Sequence, residues 1–205
     1  LKLGQTLGKD FTLDQLFKRG YKSVFVALGA QIGKPMQVEN ENVAGVLSGV
    51  EFLKQVQLKT NPKISGRVIV VGGGNTALDA ARSSLRLGAS EVIILYRRTR
   101  AEMPANAMEV NAADDEGIKL EFLAAPVRVN VENDRMTSVT CIRMVLGEPD
   151  SSGRRRPVEV IGSEYDLMAD WVISAIGQEA DLDGVDSDKA IKVTKWRTIE
   201  AKKGT

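Results

Sequence analysis

The stretch Arg67-Val68-Ile69-Val70-Val71-Gly72-Gly73-Gly74-Asn75-Thr76-Ala77-Leu78-Asp79-Ala80-Ala81-Arg82 decides the fold. Val68 to Val71 is an unbroken β-branched run, the pattern of a parallel strand covered on both faces. Gly72 lets the chain turn sharply out of that strand. Gly74 carries no Cβ, so the backbone there can approach a ligand closely, and Ala77 is small enough to keep the following helix against the sheet. A helix is predicted from Asn75 to Leu87, with Ala77, Leu78, Ala81 and Leu85 on one face and Gly88 just beyond its end. Glu91 to Tyr96 reads as the next strand. Strand, glycine turn, helix and strand make the βαβ context in which a helix N-terminus aims its free amides and positive dipole end at a pyrophosphate. A dinucleotide site is expected at this turn.

The end of the second strand bears on which dinucleotide. In NAD sites an Asp or Glu about 20 residues beyond the glycines takes the ribose hydroxyls. Here the segment is Leu95-Tyr96-Arg97-Arg98-Thr99-Arg100, with no acid. Guanidinium groups are planar, permanently charged forks that suit a phosphate. The 2′-phosphate of NADPH is therefore the expected ligand of Arg97 and Arg98, with Arg100 further off. The plainer alternative is a solvated basic turn.

Composition narrows the rest. The chain has 205 residues, 43% of them apolar, and a net charge of +1. Nothing in that balance draws it to nucleic acid or to an anionic membrane. No apolar run reaches the ~20 residues of a membrane span. A cytoplasmic location is expected. There is no histidine and one cysteine, Cys141. An internal disulfide is thereby excluded, and a Cys/His metal site is not expected. Cys141 sits in the alternating run Ser138 to Met144 and reads as a strand residue. Without histidine, chemistry here would fall to a cofactor, so no catalytic side chain is assigned. The chain does not begin with Met, and is expected to be part of a longer protein.

Around the glycine turn, the sequence predicts a short helix over Thr12 to Lys18 and a strand over Ser23 to Leu28. A polar connector follows to Val43. An amphipathic helix is predicted over Ala44 to Gln57, with Val46, Val50, Leu53 and Val56 on one face and Asn61-Pro62 after it. Downstream, Met103-Pro104 is expected to open a helix that runs to Glu116 and stops at Gly117. Ile118 to Leu123 follows as a strand. Val127 to Val131, Met136 to Leu146, and then Val158 to Ile161 with Glu164 to Leu167 alternate like an antiparallel meander. Gly147 to Pro157, with Arg154-Arg155-Arg156, is expected to be a solvated turn. Trp171 to Ala175 is a final apolar strand. The fold class expected is α/β: a Rossmann-like three-layer NAD(P)-binding domain with a parallel sheet and a three-stranded antiparallel meander.

Four motifs in order carry a resemblance. They are Val70 to Arg82, Tyr96 to Ala105, Leu146 to Pro157, and Val172-Ile173-Ser174-Ala175-Ile176-Gly177-Gln178. The chain resembles the NADPH-binding half of the glutamate synthase small (beta) subunit family of FAD- and NADPH-dependent oxidoreductases, of the pyridine nucleotide-disulfide reductase type. The resemblance implies that Gly72, Gly73, Gly74, Asn75 and Thr76, with Ala77 behind them, line the pyrophosphate. It puts Arg97 and Arg98 on the 2′-phosphate, Glu109 near the NADPH, and Ala175-Ile176-Gly177 beside the nicotinamide half. It also implies a division of the chain. Residues 1–44 would be a piece of a flanking FAD domain plus a connector, 45–177 the NADPH domain, and 178–205 the start of the return into the FAD domain. FAD would belong to the full-length protein and not be held by this fragment, which lacks a second glycine fingerprint and ends near Gly204 before a flavin-closing Gly-Asp segment. The fragment alone would be inactive. The partners implied are the FAD domain of the same full-length chain and an electron-accepting subunit.

Two other readings compete. A non-catalytic module that senses NADPH would use the same binding residues. A short-chain dehydrogenase would need a Tyr-x-x-x-Lys pair, and neither Tyr21, Tyr96 nor Tyr165 has Lys four residues on.

Overall fold

The computed structural model describes residues 1–60, 62–151, 153–186, 191–195 and 197–201. The expected Asn61 stop, Ser152 of the third motif and Gly204 lie outside the described residues. The chain divides into two compact units, Gly33–Gly177 and Leu1–Ile32 with Gln178–Thr205.

The larger unit is built on a five-stranded parallel sheet. After the two-residue strand β1 (Ile32–Gly33), its strands are β2 (Val46–Ser48), β3 (Gly66–Val71), β4 (Ala89–Tyr96), β5 (Lys119–Phe122) and β10 (Trp171–Ser174), in the order β2-β10-β3-β4-β5. β3 is sealed on both faces, which is why its apolar run is continuous. Val68 and Val70 face helices α2 (Gly49–Leu58), α3 (Asn75–Arg86) and α4 (Ala107–Asp115), where they pack with Phe52, Leu78, Ala81, Val110 and Ala113. Ile69 and Val71 face the other way and pack with Val129, Met136, Val139 and Cys141 of an antiparallel sheet. The result is three layers. Each fully buried Val or Ile of β3 contributes about 1.5–3 kcal/mol through the apolar surface it removes from water.

The antiparallel layer has one strand more than the sequence suggested. β6 (Ala124–Glu132), β7 (Arg135–Pro149), β8 (Arg155–Glu159) and β9 (Tyr165–Met168) form it, and β7 pairs with all three of the others. The tight β6–β7 turn uses positive φ at Asn133 and Asp134, as a two-residue hairpin demands. The far end of β7 and β8 form a ribbon that extends into the region expected as turn. β7 runs on to Pro149, and β8 begins at Arg155.

Three local expectations are corrected. The helix predicted from Ala44 begins at Gly49 instead. Val46-Leu47-Ser48 pairs with Val172-Ile173-Ser174 as an edge strand, and these ladder bonds outweigh continuing the helix. Starting at Gly49 puts Gly49, Phe52, Leu53 and Val56 on the inner face at helical spacing, so Phe52 is the buried anchor, at 1% exposure. The helix predicted from Met103-Pro104 begins at Ala107, because Asn106 accepts from Met108 N at 2.9 Å and caps it there. Ser23 to Leu28 is not a strand, and Phe25 is almost fully exposed. An apolar run forms a strand only where a neighbour completes its ladder, and among the described residues none does so here.

The smaller unit contains α1 (Leu13–Lys18) and α5 (Asp183–Asp186). Thr12 and Gln15 cap α1 reciprocally. Leu13, Leu182 and Val185 are buried. Among the described residues, no helix is long and apolar enough to cross a membrane.

Candidate functional site

At the carboxyl edge of the parallel sheet the three glycines are glycine for three different reasons. Gly72 has φ +145°, and a Cβ there would strike the backbone carbonyl of Ala175. It is where β3 passes the exit of β10. Gly73 is buried under the ring of Tyr96, whose atoms would stand 2.6 Å from a Cβ. Gly74 is different. Its φ of −98° suits any residue, and nothing lies nearer to its Cβ position than Pro104 Cγ at 3.8 Å. Packing does not require glycine there. What the missing side chain does is leave open the space in front of α3.

Gly74 is also the N-cap of α3, and so offers no side chain to the helix amides. The first intrahelical bonds are Ala77 N to Gly74 O at 2.9 Å and Leu78 N to Gly74 O at 3.3 Å. The amides of Asn75 and Thr76 precede any carbonyl that the helix can supply. A twelve-residue helix adds the positive end of its dipole at the same point. This cradle fits a pyrophosphate. Ala77 is fully enclosed. Its part is to let α3 sit against β3, and its side chain cannot touch a ligand.

A loop closes one side of the cradle. Ala105 N donates to Gly73 O at 3.2 Å, and Asn106 N donates to the side-chain oxygen of Asn75 at 3.0 Å. Tyr96 OH reaches Glu102 O at 2.8 Å. Thr99 and Glu102 form a capping box around a short 3-10 turn, Arg100–Glu102. The Thr99 hydroxyl holds the Glu102 carboxyl below the usual carboxylate range, and the charge of Arg155 acts in the same direction. The Thr-x-x-Glu signature of this box was present in the sequence. The tethers through Tyr96, Ala105 and Asn106 had no sequence signal of their own.

The arginines expected to act together are separated. Arg97 is exposed at the end of β4, with no ion-pair partner among the described residues. Arg98 is 5% exposed and turns inward. Its Nε donates to Arg155 O at 2.7 Å, and its Nη2 pairs with Asp150 at 2.8 Å. Since consecutive residues at a strand end point to opposite sides, the two side chains cannot both face the same phosphate without rearrangement. Arg100 pairs with Asp114 and donates to Asn111 on α4. Glu109 lies on α4 with one carboxylate oxygen buried and without a hydrogen-bond partner among the described residues. Its charge is felt by Arg82 of α3, which pairs with Glu116 at 2.6 Å.

On the other side of the glycines, Ala175 N donates to Val71 O at 2.8 Å, so the β10 exit lies directly against the turn. Ile176 is 44% exposed there. Gly177 has φ +133°, and its carbonyl accepts from Lys34 N at 3.0 Å. The carboxyl edge thus carries, side by side, an anion cradle, an exposed guanidinium and a short apolar ledge. Among the described residues there is no group of acids or Cys able to hold a metal ion.

An open helix N-terminus beside a guanidinium on this three-layer sheet is the kind of arrangement a dinucleotide-binding domain needs. The chain belongs to the pyridine nucleotide-disulphide oxidoreductase family, whose sequence pattern matches residues 4–204. It is 48% identical over 200 residues to the NADPH-Fe(3+) oxidoreductase subunit beta of Geobacter sulfurreducens, covering 96% of this chain and 30% of that protein. It is 38% identical over 188 residues to the glutamate synthase [NADPH] small chain of Escherichia coli, covering 86% of this chain and 40% of that protein. The structure of Mycobacterium tuberculosis FprA in complex with NADPH shares the fold, with a TM-score of 0.74 at 21% identity over 85% of this chain and 53% of that one. The chain spans well under half the length of these curated relatives.

Proposed function

We propose that this chain is the NADPH-binding part of a flavin-dependent oxidoreductase of the glutamate synthase small-subunit type, which passes electrons from NADPH through FAD to a partner subunit or acceptor. Residues 45–177 form the NADPH domain in this reading, 1–44 are a piece of a flanking FAD domain plus a connector, and 178–205 begin the return into that domain. The observation that carries the reading is the open cradle at Gly74-Asn75-Thr76 with the exposed guanidinium of Arg97, without an ion-pair partner among the described residues, at the end of the adjacent strand.

NADPH when bound supplies a hydride, and FAD supplies its acceptor. The residues of this chain bind and orient. The amides of Asn75 and Thr76 take the pyrophosphate, and Gly73 lets the Tyr96 ring close the floor beneath it. Arg97 takes the 2′-phosphate. Ala175-Ile176-Gly177 gives the nicotinamide half an apolar ledge that keeps water from one side. Glu109, whose buried carboxylate oxygen has no hydrogen-bond partner among the described residues, lies on the helix that flanks the cradle. The beta-subunit names of relatives such as the Geobacter protein support an electron-accepting partner, as does the small-chain name of the Escherichia coli one.

Isothermal titration of the chain with NADPH and NADH at low salt tests the reading. A guanidinium–phosphate contact is charge-assisted and contributes about 1.5–3 kcal/mol. Discounted for the exposure of Arg97, it still gives a preference for NADPH of about tenfold. Equal affinities would refute the assignment.

A further inference from the structure

The arginine that turns away from the expected phosphate site does something specific. Arg98 joins three parts of the larger unit. Its carbonyl accepts from Leu123 N at 3.1 Å, where β5 gives way to β6. Its side chain spans to the tip of the β7–β8 ribbon, with one edge of the guanidinium engaged by the Asp150 carboxylate and the Arg155 carbonyl. The tip is itself closed, with Asp150 N bonded to Arg154 O at 2.7 Å and Gly153 N to Asp150 O at 2.9 Å. Arg155 ties across the ribbon to the carbonyls of Leu146 and Gly147 at 2.7 and 3.2 Å. The tip that looked solvated in sequence is therefore fastened to the end of β4. It brings the charge of Arg155 to Glu102, on the same loop that follows Arg97.

We propose that Arg98 and Asp150 form a latch that fastens the ribbon tip to the end of β4, and that this latch positions Arg97 for the 2′-phosphate. Arg98 is then a positioning residue, and the ribbon is part of what selects NADPH over NADH. The argument is one of order. Arg97 is the neighbour of a residue fixed at both its backbone and its guanidinium, so its own side chain leaves a backbone that is already ordered. Releasing the latch leaves the Leu123 N–Arg98 O bond but removes the side-chain fixing, so the backbone at Arg97 loosens and part of the cost of ordering it is then charged to phosphate binding. The inference rests on the NADPH reading given above.

The sign of one substitution separates this from simple electrostatics. Asp150 is an acid near a site for an anion, so Coulomb's law alone says that Asp150→Ala tightens NADPH. A latch says the reverse. Asp150→Ala and Arg98→Lys are both expected to weaken NADPH about three- to tenfold and leave NADH unchanged. Lysine keeps the charge but cannot hold carboxylate and carbonyl with one fork. Both variants are also expected to speed tryptic cleavage after Arg154 and Arg155 in the absence of any nucleotide. Tighter NADPH binding in Asp150→Ala, full NADPH affinity in Arg98→Lys, or a parallel fall for both nucleotides would each overturn the proposal. So would unchanged cleavage. A wild-type chain with no preference for NADPH would overturn the underlying reading. That failure is told apart because the cleavage measurement needs no dinucleotide.

Discussion

Replacing Gly73 and Gly74 one at a time with alanine separates a glycine that the fold needs from one that the ligand needs. At Gly73 the new methyl would stand 2.6–2.8 Å from three atoms of the Tyr96 ring. That ring cannot simply swing aside, because its hydroxyl is bonded to Glu102 O. Overpacking of this kind costs about 1–3 kcal/mol, and for a chain of this size roughly 2–4 °C of Tm per kcal/mol. Gly73→Ala should therefore lose roughly 2–12 °C. At Gly74 the new methyl meets nothing closer than 3.8 Å, and the backbone angles suit alanine. Alanine is the poorer N-cap by about 0.5–1 kcal/mol. It gains about 0.4–1 kcal/mol by restricting the unfolded chain. The two nearly cancel, so Gly74→Ala should melt within about 2 °C of the parent. The ligand response should run the other way. Saturating NADPH at about 100 Kd adds about 2.7 kcal/mol to a competent fold, or roughly 5–11 °C. Gly74→Ala, with a methyl in front of the α3 amides, should show none of that rise. Melting scans with and without NADPH read both effects. A Gly74→Ala protein that keeps the full NADPH shift would refute the claim that the open space there is the cradle.

Other outcomes follow from the same geometry. Arg97→Ala should weaken NADPH about tenfold and leave NADH alone, by titration at low salt, since NADH has no phosphate at that point. Phe52→Ala should cost about 3–5 kcal/mol in urea unfolding, because the ring is fully buried in the helical core. Burial pushes the Cys141 thiol up to about 12, with the charges of Glu121 and Asp166 adding to it. The native thiol should resist a disulfide reagent at pH 8 and react on unfolding. The raised folded value also fixes a sign. The stabilisation is complete below the unfolded thiol value near 9 and is lost as pH rises toward 12. At pH 10 the loss is about 1.4 kcal/mol, and urea midpoints should show it diminished in Cys141→Val.

The sequence was most readable where one physical demand dominates. A strand buried on both faces, a turn that needs positive φ at Gly72 and a helix with an apolar stripe left little freedom between Arg67 and Tyr96. It was least readable where a partner decides. Val46-Leu47-Ser48 suits a helix face as well as an edge strand, and only β10, far along the chain, settles the matter. Ser23 to Leu28 had strand composition without a neighbouring ladder among the described residues. Arg97 and Arg98 look alike in sequence. They part because Asp150, some fifty residues away, takes one of them, and nothing local marks that acid as its partner. The full length of the ribbon was illegible for a related reason. Charged residues at Arg155 and Arg156 imply solvent, which is true of an exposed ribbon and of a turn alike.

The position of β10 has a consequence for how the chain is made. This strand lies between β2 and β3, yet it follows β3 by ~100 residues. At ~5–20 residues per second, a ribosome needs roughly 5–20 s to deliver it. Until then Val68 to Val71 has an open hydrogen-bonding edge, and the slot beside it stays vacant. Contacts so distant in sequence also close slowly. The nascent domain is thus a sheet waiting for its middle, able to accept a stray strand from another chain. Its yield in the cell should depend on chaperone capacity during those seconds more than on the stability of the finished fold.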